Sequence, residues 1–354
     1  MAGGILGGSA LRALKHHKYV SGGYTPLDHL FYKVWWDPAL SLIPLWMAPN
    51  LITLVGFILA LSACIFVLAY NPSLGPNGET VLTTYTGACF TFYMMMDALD
   101  GRQARRTRSG SPLGQLFDHG CDSVLAGFLP ALICSGLGLG LDNLVLLTAA
   151  SQVLFFVGMW EERYIGQCRT TVFGLVGTSE YLSLFIGLQF ASGHMPESIV
   201  GFFKTSMVPF VCASSVIGSA TCIINVVRQR RSLRPLSDLL VICITNGSFL
   251  WLIPSLSSSV EMISLCLVNS FMVTLMVLST MSKSSLISLM IKVGCIPLVL
   301  ACTATLVYPE WASVILRVHG GGFSLFFFCF VWILVNQIKK YLKISVFSIE
   351  TKNV

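Results

Sequence analysis

Apolar residues gather along this chain into long runs separated by short polar breaks, at about 46–70, 81–99, 116–137, 143–160, 172–191, 199–226, 238–255, 260–281, 288–308 and 321–338. A helix that crosses a bilayer needs roughly 20 mostly apolar residues. The pattern predicts an all-α fold, a polytopic integral membrane protein with about ten transmembrane helices. Ten spans put both chain ends on one side. Ahead of the first run, Phe31, Tyr32, Trp35 and Trp36 mix with Asp28 and Lys33, which suits a helix lying in the membrane interface. The same rings could also wall a quaternary ammonium group.

The charges are sided. Nineteen of the 22 lysines and arginines fall in alternate breaks or near the termini, and only Lys204, Lys292 and Arg317 lie elsewhere. That bias places the basic segments in the cytosol. It also accounts for the net charge of +6 through contact with anionic headgroups, so no nucleic-acid partner is expected. Only 11% of the 354 residues are charged and 55% are hydrophobic. A soluble domain carries about 25% charged residues, so a soluble globule is excluded. The twelve cysteines form no CxxC pair and sit mostly inside apolar runs, which predicts small buried side chains rather than disulfides or a zinc site. The first residues lack a long apolar core after their basic positions, so no cleaved signal peptide is expected.

One break is unlike the others. Residues 97–123 read DALDGRQARRTRSGSPLGQLFDHGCDS. Asp97 and Asp100 are three apart, and Asp118 and Asp122 are four apart. On helices each spacing puts the pair on one face. The first pair closes the second run and the second pair opens the third, so the short break folds them together. An aspartate at the centre of a spanning helix costs roughly 2.5–3.5 kcal/mol. Four of them need counter-charge, and oxygen-ligated divalent cations supply it, which points to Mg²⁺ or Mn²⁺. Two such ions can clamp a phosphate. Gly101 and Gly114 clear room for a ligand beside the carboxylates, Ala104 keeps that face small, and Arg105 can grip phosphate oxygens. Arg102, Arg106 and Arg108 read as loop charges facing headgroups.

The stretch fits D-x2-D-G-x2-A-R-x8-G-x3-D-x3-D at all eight defined positions, and so resembles the CDP-alcohol phosphotransferase family. DHGCDS and APNLITLVGF at 48–57 are similar to the eukaryotic choline/ethanolamine phosphotransferase branch. The likeness fades after about residue 230. It implies transfer of phosphocholine or phosphoethanolamine from the CDP-alcohol to diacylglycerol or alkyl-acylglycerol, with release of CMP. It further implies two bound divalent ions, a homodimer among membrane lipids, and an endoplasmic reticulum or Golgi location. The alternatives are a related enzyme with another alcohol, such as inositol, or a cation transporter using the acids as an ion site.

Carried onto this sequence, the resemblance makes Asp97, Asp100, Asp118 and Asp122 the metal ligands. Asn50, Gly101, Ala104, Arg105 and Gly114 become the nucleotide site. The general base is His119 or Asp122; His119 is preferred because a metal-bound carboxylate is a poor base. Glu180 is an acid entering an apolar run and resembles a branch residue that assists the histidine. Glu161 and Glu162 are expected to make a local ion pair with Arg163, to contact headgroups, or to line the alcohol site. The organisation expected is a cytosolic or interfacial amphipathic segment at 1–45, a catalytic core at 46–230, additional transmembrane helices at 231–340 facing a dimer partner or lipid, and a cytosolic tail at 341–354.

Overall fold

A computed structural model of the chain describes residues 4–75, 79–169, 171–172, 176–240, 242–243, 246, 259–293 and 309–349. Helices stand at eight of the ten predicted runs. They are α4 (Pro49–Tyr70), α5 (Thr80–Arg106), α6 (Pro112–Phe128) with α7 (Pro130–Leu137), α8 (Gly140–Ile165), α9 (Thr178–Ser192), α10 (Glu197–Arg230), α11 (Ser259–Ser282) and α13 (Ala312–Leu342). The runs at 238–255 and 288–308 lie largely outside the described residues; α12 (Leu286–Val293) opens the second. Among the described residues, five helices are long and apolar enough to cross a membrane: Pro49–Tyr70, Pro112–Leu137, Gly140–Ile165, Ser198–Arg230 and Gly321–Leu342. The chain is a helical membrane protein.

Local chemistry sets the helix ends. Pro49 and Pro112 open α4 and α6 where a missing N–H is harmless. Pro130 cannot donate into the preceding turn, so the third run divides into α6 and α7. Gly138 and Gly166 end α7 and α8 at φ +64° and +84°, which a side chain would resist. The fifth run begins later than predicted. Thr171–Val172 pairs antiparallel with Val176–Gly177, so α9 starts only at Thr178. β-Branched residues before a glycine favour that hairpin over helix.

The amino-terminal segment forms α1 (Gly8–Lys15), α2 (Pro26–Phe31), a π turn at Tyr32–Trp36, and α3 (Asp37–Leu42). Leu30, Val34, Trp35, Leu42 and Trp46 are exposed, as an interfacial segment requires. The amphipathic α1 instead buries Leu11 and Leu14 against α11 and α13. Arg102 pairs with Asp37, and Arg106 donates to the Leu40 and Ile43 carbonyls. These arginines tie α3 to α5 rather than standing free as loop charges.

Helix α11, expected at the periphery, lies in the middle of the bundle against α6, α8 and α13. Its residues 266–278 are buried. Polar side chains join it to its neighbours. Ser270 donates to the Ser123 carbonyl at 2.9 Å, and Gln152 donates to the Cys266 carbonyl at 3.1 Å. Close approach at this crossing depends on Gly127. A Cβ there would meet Gln152 Nε2 at 2.5 Å and Cys266 Cβ at 2.9 Å. Gly127→Ala is expected to lower stability by about 1–3 kcal/mol, read as an earlier thermal unfolding transition in detergent. An unchanged transition would contradict this packing.

Candidate active site

Helix α4 packs against both α5 and α6, and a cavity of about 1030 Å³ opens beside them. Ser111 sets the start of α6: its hydroxyl accepts the Gly114 N–H at 3.1 Å, capping the helix beside Pro112. Asp118 and Asp122 therefore fall on successive turns of α6, across from Asp97 on α5. Oxygens of Asp97, Asp118 and Asp122 all come within 4.8 Å of one another. Asp100 is drawn toward α4, where it accepts the Thr53 hydroxyl. Tyr93, one turn before Asp97, donates to Asp122 Oδ1 at 2.7 Å.

Among the described residues no lysine or arginine pairs with these four carboxylates. Asp118 Oδ1 is buried with no hydrogen-bond donor among the described residues. Clustered oxygen ligands, like charges without a counter-ion and an orphaned carboxylate oxygen fit a hard divalent cation such as Mg²⁺ or Mn²⁺. Asp97, Asp118 and Asp122 are the residues placed to hold it, with Asp100 alongside.

His119 lies on α6 beside Asp118 and is 6% exposed. Its Nε2 is 4.0 Å from Asp118 Oδ2, and its Nδ1 is buried without a partner. Tyr19 and Phe155 hold the ring edge-on, with centroids at 6.0 and 6.4 Å. Burial pushes the Tyr19 phenol and the Cys168 thiol up, so both stay protonated at the cavity wall. Behind this wall His17 Nε2 meets Gln115 Oε1 at 2.8 Å, and Gln115 Nε2 donates to Glu162 Oε1 at 3.0 Å. An amide oxygen only accepts, so His17 carries its proton on Nε2. Burial also lowers the pKa of His17.

Asn50, Gly101, Ala104, Arg105 and Gly114 line the same cavity as the acids and His119. A Cβ on Gly101 would meet only Arg105, at 3.7 Å, so that wall is open to a ligand. A Cβ on Gly114 would stand 3.3 Å from Asn50 Oδ1. Asn50 does not cap α4; its Nδ2 donates to the Val346 carbonyl at 2.9 Å. The segment after α13 thus folds back: Ser345, Val346, Ser348 and Ile349 line the cavity, and Phe347 packs on Phe117 with centroids 5.7 Å apart.

The profile of the family described as CDP-alcohol phosphatidyltransferase matches residues 46–221. An uncharacterized CDP-alcohol phosphatidyltransferase class-I family protein 3 from Dictyostelium discoideum is 30% identical over 70% of this chain and 70% of its own length. The chain belongs to the CDP-alcohol phosphatidyltransferase family. Choline/ethanolaminephosphotransferase 2 of Arabidopsis thaliana is 34% identical over 56% of this chain and 49% of its own length. Cholinephosphotransferase 1 of Bos taurus is 35% identical over 49% and 43% respectively. The chain spans about half the length of these two relatives.

For this CDP-alcohol phosphatidyltransferase family member, the cavity collects the sequence-predicted site residues except Glu162 and Glu180. Glu180 caps α9, where its carboxylate accepts the Gly177 N–H at 2.8 Å. Its neighbours Ser179 and Tyr181 do line the cavity. Arg163 turns away from Glu161 and Glu162 to Asp238, at 3.6 Å, and to Ser279 Oγ, at 2.8 Å. Sequence reasoning missed Thr53 and Tyr93. Tyr93 stands four residues before Asp97, so a helix-face reading of that turn would have found it.

Proposed function

We propose that this protein transfers phosphocholine or phosphoethanolamine from a CDP-alcohol to the free hydroxyl of diacylglycerol or alkyl-acylglycerol, releasing CMP. The observation carrying this reading is the three-aspartate ring of Asp97, Asp118 and Asp122 beside His119 in one cavity. Asp97, Asp100, Asp118 and Asp122 would hold divalent ions, which would supply positive charge against that developing on the departing CMP. Arg105 and the open backbone at Gly101 receive phosphate oxygens, while Asn50 and Gly114 border the nucleotide. His119 accepts the proton of the acceptor hydroxyl at Nε2, the ring nitrogen nearer Asp118. The attacking oxygen then bonds to the phosphorus bearing the alcohol as the bond to CMP breaks. Tyr93 and Thr53 fix Asp122 and Asp100 through their hydroxyls.

The siding of 19 of the 22 basic residues supports a site that faces the cytosol. Contacts between Leu6 and Gln337, Asn50 and Val346, and Arg163 and Ser284 gather the predicted cytosolic ends on one face. We place the enzyme in the endoplasmic reticulum or Golgi as a homodimer, with 46–230 as its catalytic core.

The reaction is tested by giving purified protein CDP-ethanolamine or CDP-choline, diacylglycerol and Mg²⁺, then measuring CMP. Release that requires both the lipid and the metal is expected. CMP from neither donor ends this reading, and CMP formed only with another acceptor alcohol, such as inositol, replaces it.

A further inference from the structure

One face of α8 turns toward the cavity at helical spacing: Leu147, Ser151, Leu154, Gly158 and Glu161 all line it. The first four are apolar or small, and the stripe ends on a carboxylate. Glu161 is 0% exposed. Its Oε1 accepts the Asn225 side-chain N–H from α10 and lies 3.4 Å from Arg169 Nε. These two partners fix the orientation of the side chain. Its Oε2 is buried and, among the described residues, accepts no hydrogen bond. Leaving such an oxygen unsatisfied is costly, so the cavity is missing a donor at this point. Phe155, which packs on His119, precedes Glu161 by six residues on the same helix. Glu161 therefore sits about 9 Å along the α8 axis from Phe155, the residue that packs on the proposed base.

We propose that Glu161 Oε2 receives the ammonium of the donor's alcohol and thereby selects a primary ammonium over a quaternary one. This rests on the transferase reading above. A primary ammonium brings three N–H donors to a carboxylate, whereas a quaternary ammonium brings none. A quaternary group is instead recognised by open aromatic faces. Of the aromatic rings lining the cavity, Tyr24, Tyr32 and Trp36 already pack on one another. The Arg102 guanidinium stands over the Tyr32 ring at 3.9 Å, and Tyr24 packs edge-on against it at 4.9 Å. Asp28, the acid beside that cluster, is committed to the Thr25 N–H and the Ser179 hydroxyl. Among the described residues, Glu161 is a carboxylate outside the metal ring with a buried oxygen that accepts no hydrogen bond.

The test is a methylation series: CDP-ethanolamine, its N-methyl and N,N-dimethyl forms, and CDP-choline, each with diacylglycerol and Mg²⁺ on the full chain. In the native protein kcat/KM is expected to fall stepwise as N–H groups are lost. Glu161→Gln keeps an oxygen for Asn225 and should lose about 10- to 100-fold on CDP-ethanolamine but less than about threefold on CDP-choline. A uniform loss across all four donors marks Glu161 as a packing residue and overturns the proposal. A native protein indifferent to methylation, or preferring CDP-choline, overturns it even if the variant does not fold. CMP from no donor defeats the transferase reading itself, whereas CMP from all four without discrimination defeats only this inference.

Discussion

Asp118→Asn should abolish turnover while the protein folds at least as stably as before. Asparagine is nearly isosteric and keeps α6 intact, but it removes one of three carboxylates whose oxygens lie within 4.8 Å of one another. The native oxygen Oδ1 is buried with no donor, so the metal-free protein gains nothing from that charge. Like charges at this spacing repel in a low-dielectric interior, and removing one relieves the strain. The same removal deprives the developing phosphate charge of its stabilisation, a loss of about 10²–10³-fold or more in kcat. CMP release and thermal unfolding, measured on one preparation, separate the two effects. Turnover within about tenfold of native would show that Asp118 is not part of the charge-stabilising machinery.

His119→Ala should lose about 10²–10⁴-fold in kcat, the usual contribution of a positioned general base, with CDP-alcohol binding nearly unchanged. The ring is pinned by Tyr19 and Phe155, and Nε2 lies 4.0 Å from Asp118 Oδ2. Asp122 is worse placed for proton transfer, because it belongs to the carboxylate ring and already accepts the Tyr93 hydroxyl. Equilibrium binding of CDP-ethanolamine and single-turnover CMP release distinguish the roles. Lost binding would make His119 a structural residue, and unchanged turnover would return the base to Asp122.

The carboxylate site was legible because its spacing is local. Asp118 and Asp122 differ by about 40° around a helix and Asp97 and Asp100 by about 60°. The narrower pair stays together in the ring, and Asp100, turned further away, is taken by Thr53. Residues brought in from a distance left no such signature. The carbonyl of Val346 reaches Asn50 across 296 positions, and Asn225 reaches Glu161 across 64. No periodicity encodes those contacts. The apolar runs gave the helices but not their depth in the bundle. A span read as lipid-facing and one buried at the centre, such as α11, are equally apolar, and only pairings such as Ser270 with Ser123 separate them. The run at 172–191 was apolar enough to span, yet Thr171–Val172 and Val176–Gly177 fold it into a hairpin first.

On the proposed mechanism, Asp97, Asp100, Asp118 and Asp122 hold divalent ions against a pyrophosphate. Anomalous difference maps from crystals grown with Mn²⁺ and a CDP-alcohol test it most directly. Two manganese peaks within coordination distance of these carboxylates, with the pyrophosphate beside them, are the predicted result. Ordered nucleotide with no peak among the four aspartates, or with their side chains pointing apart, would contradict it.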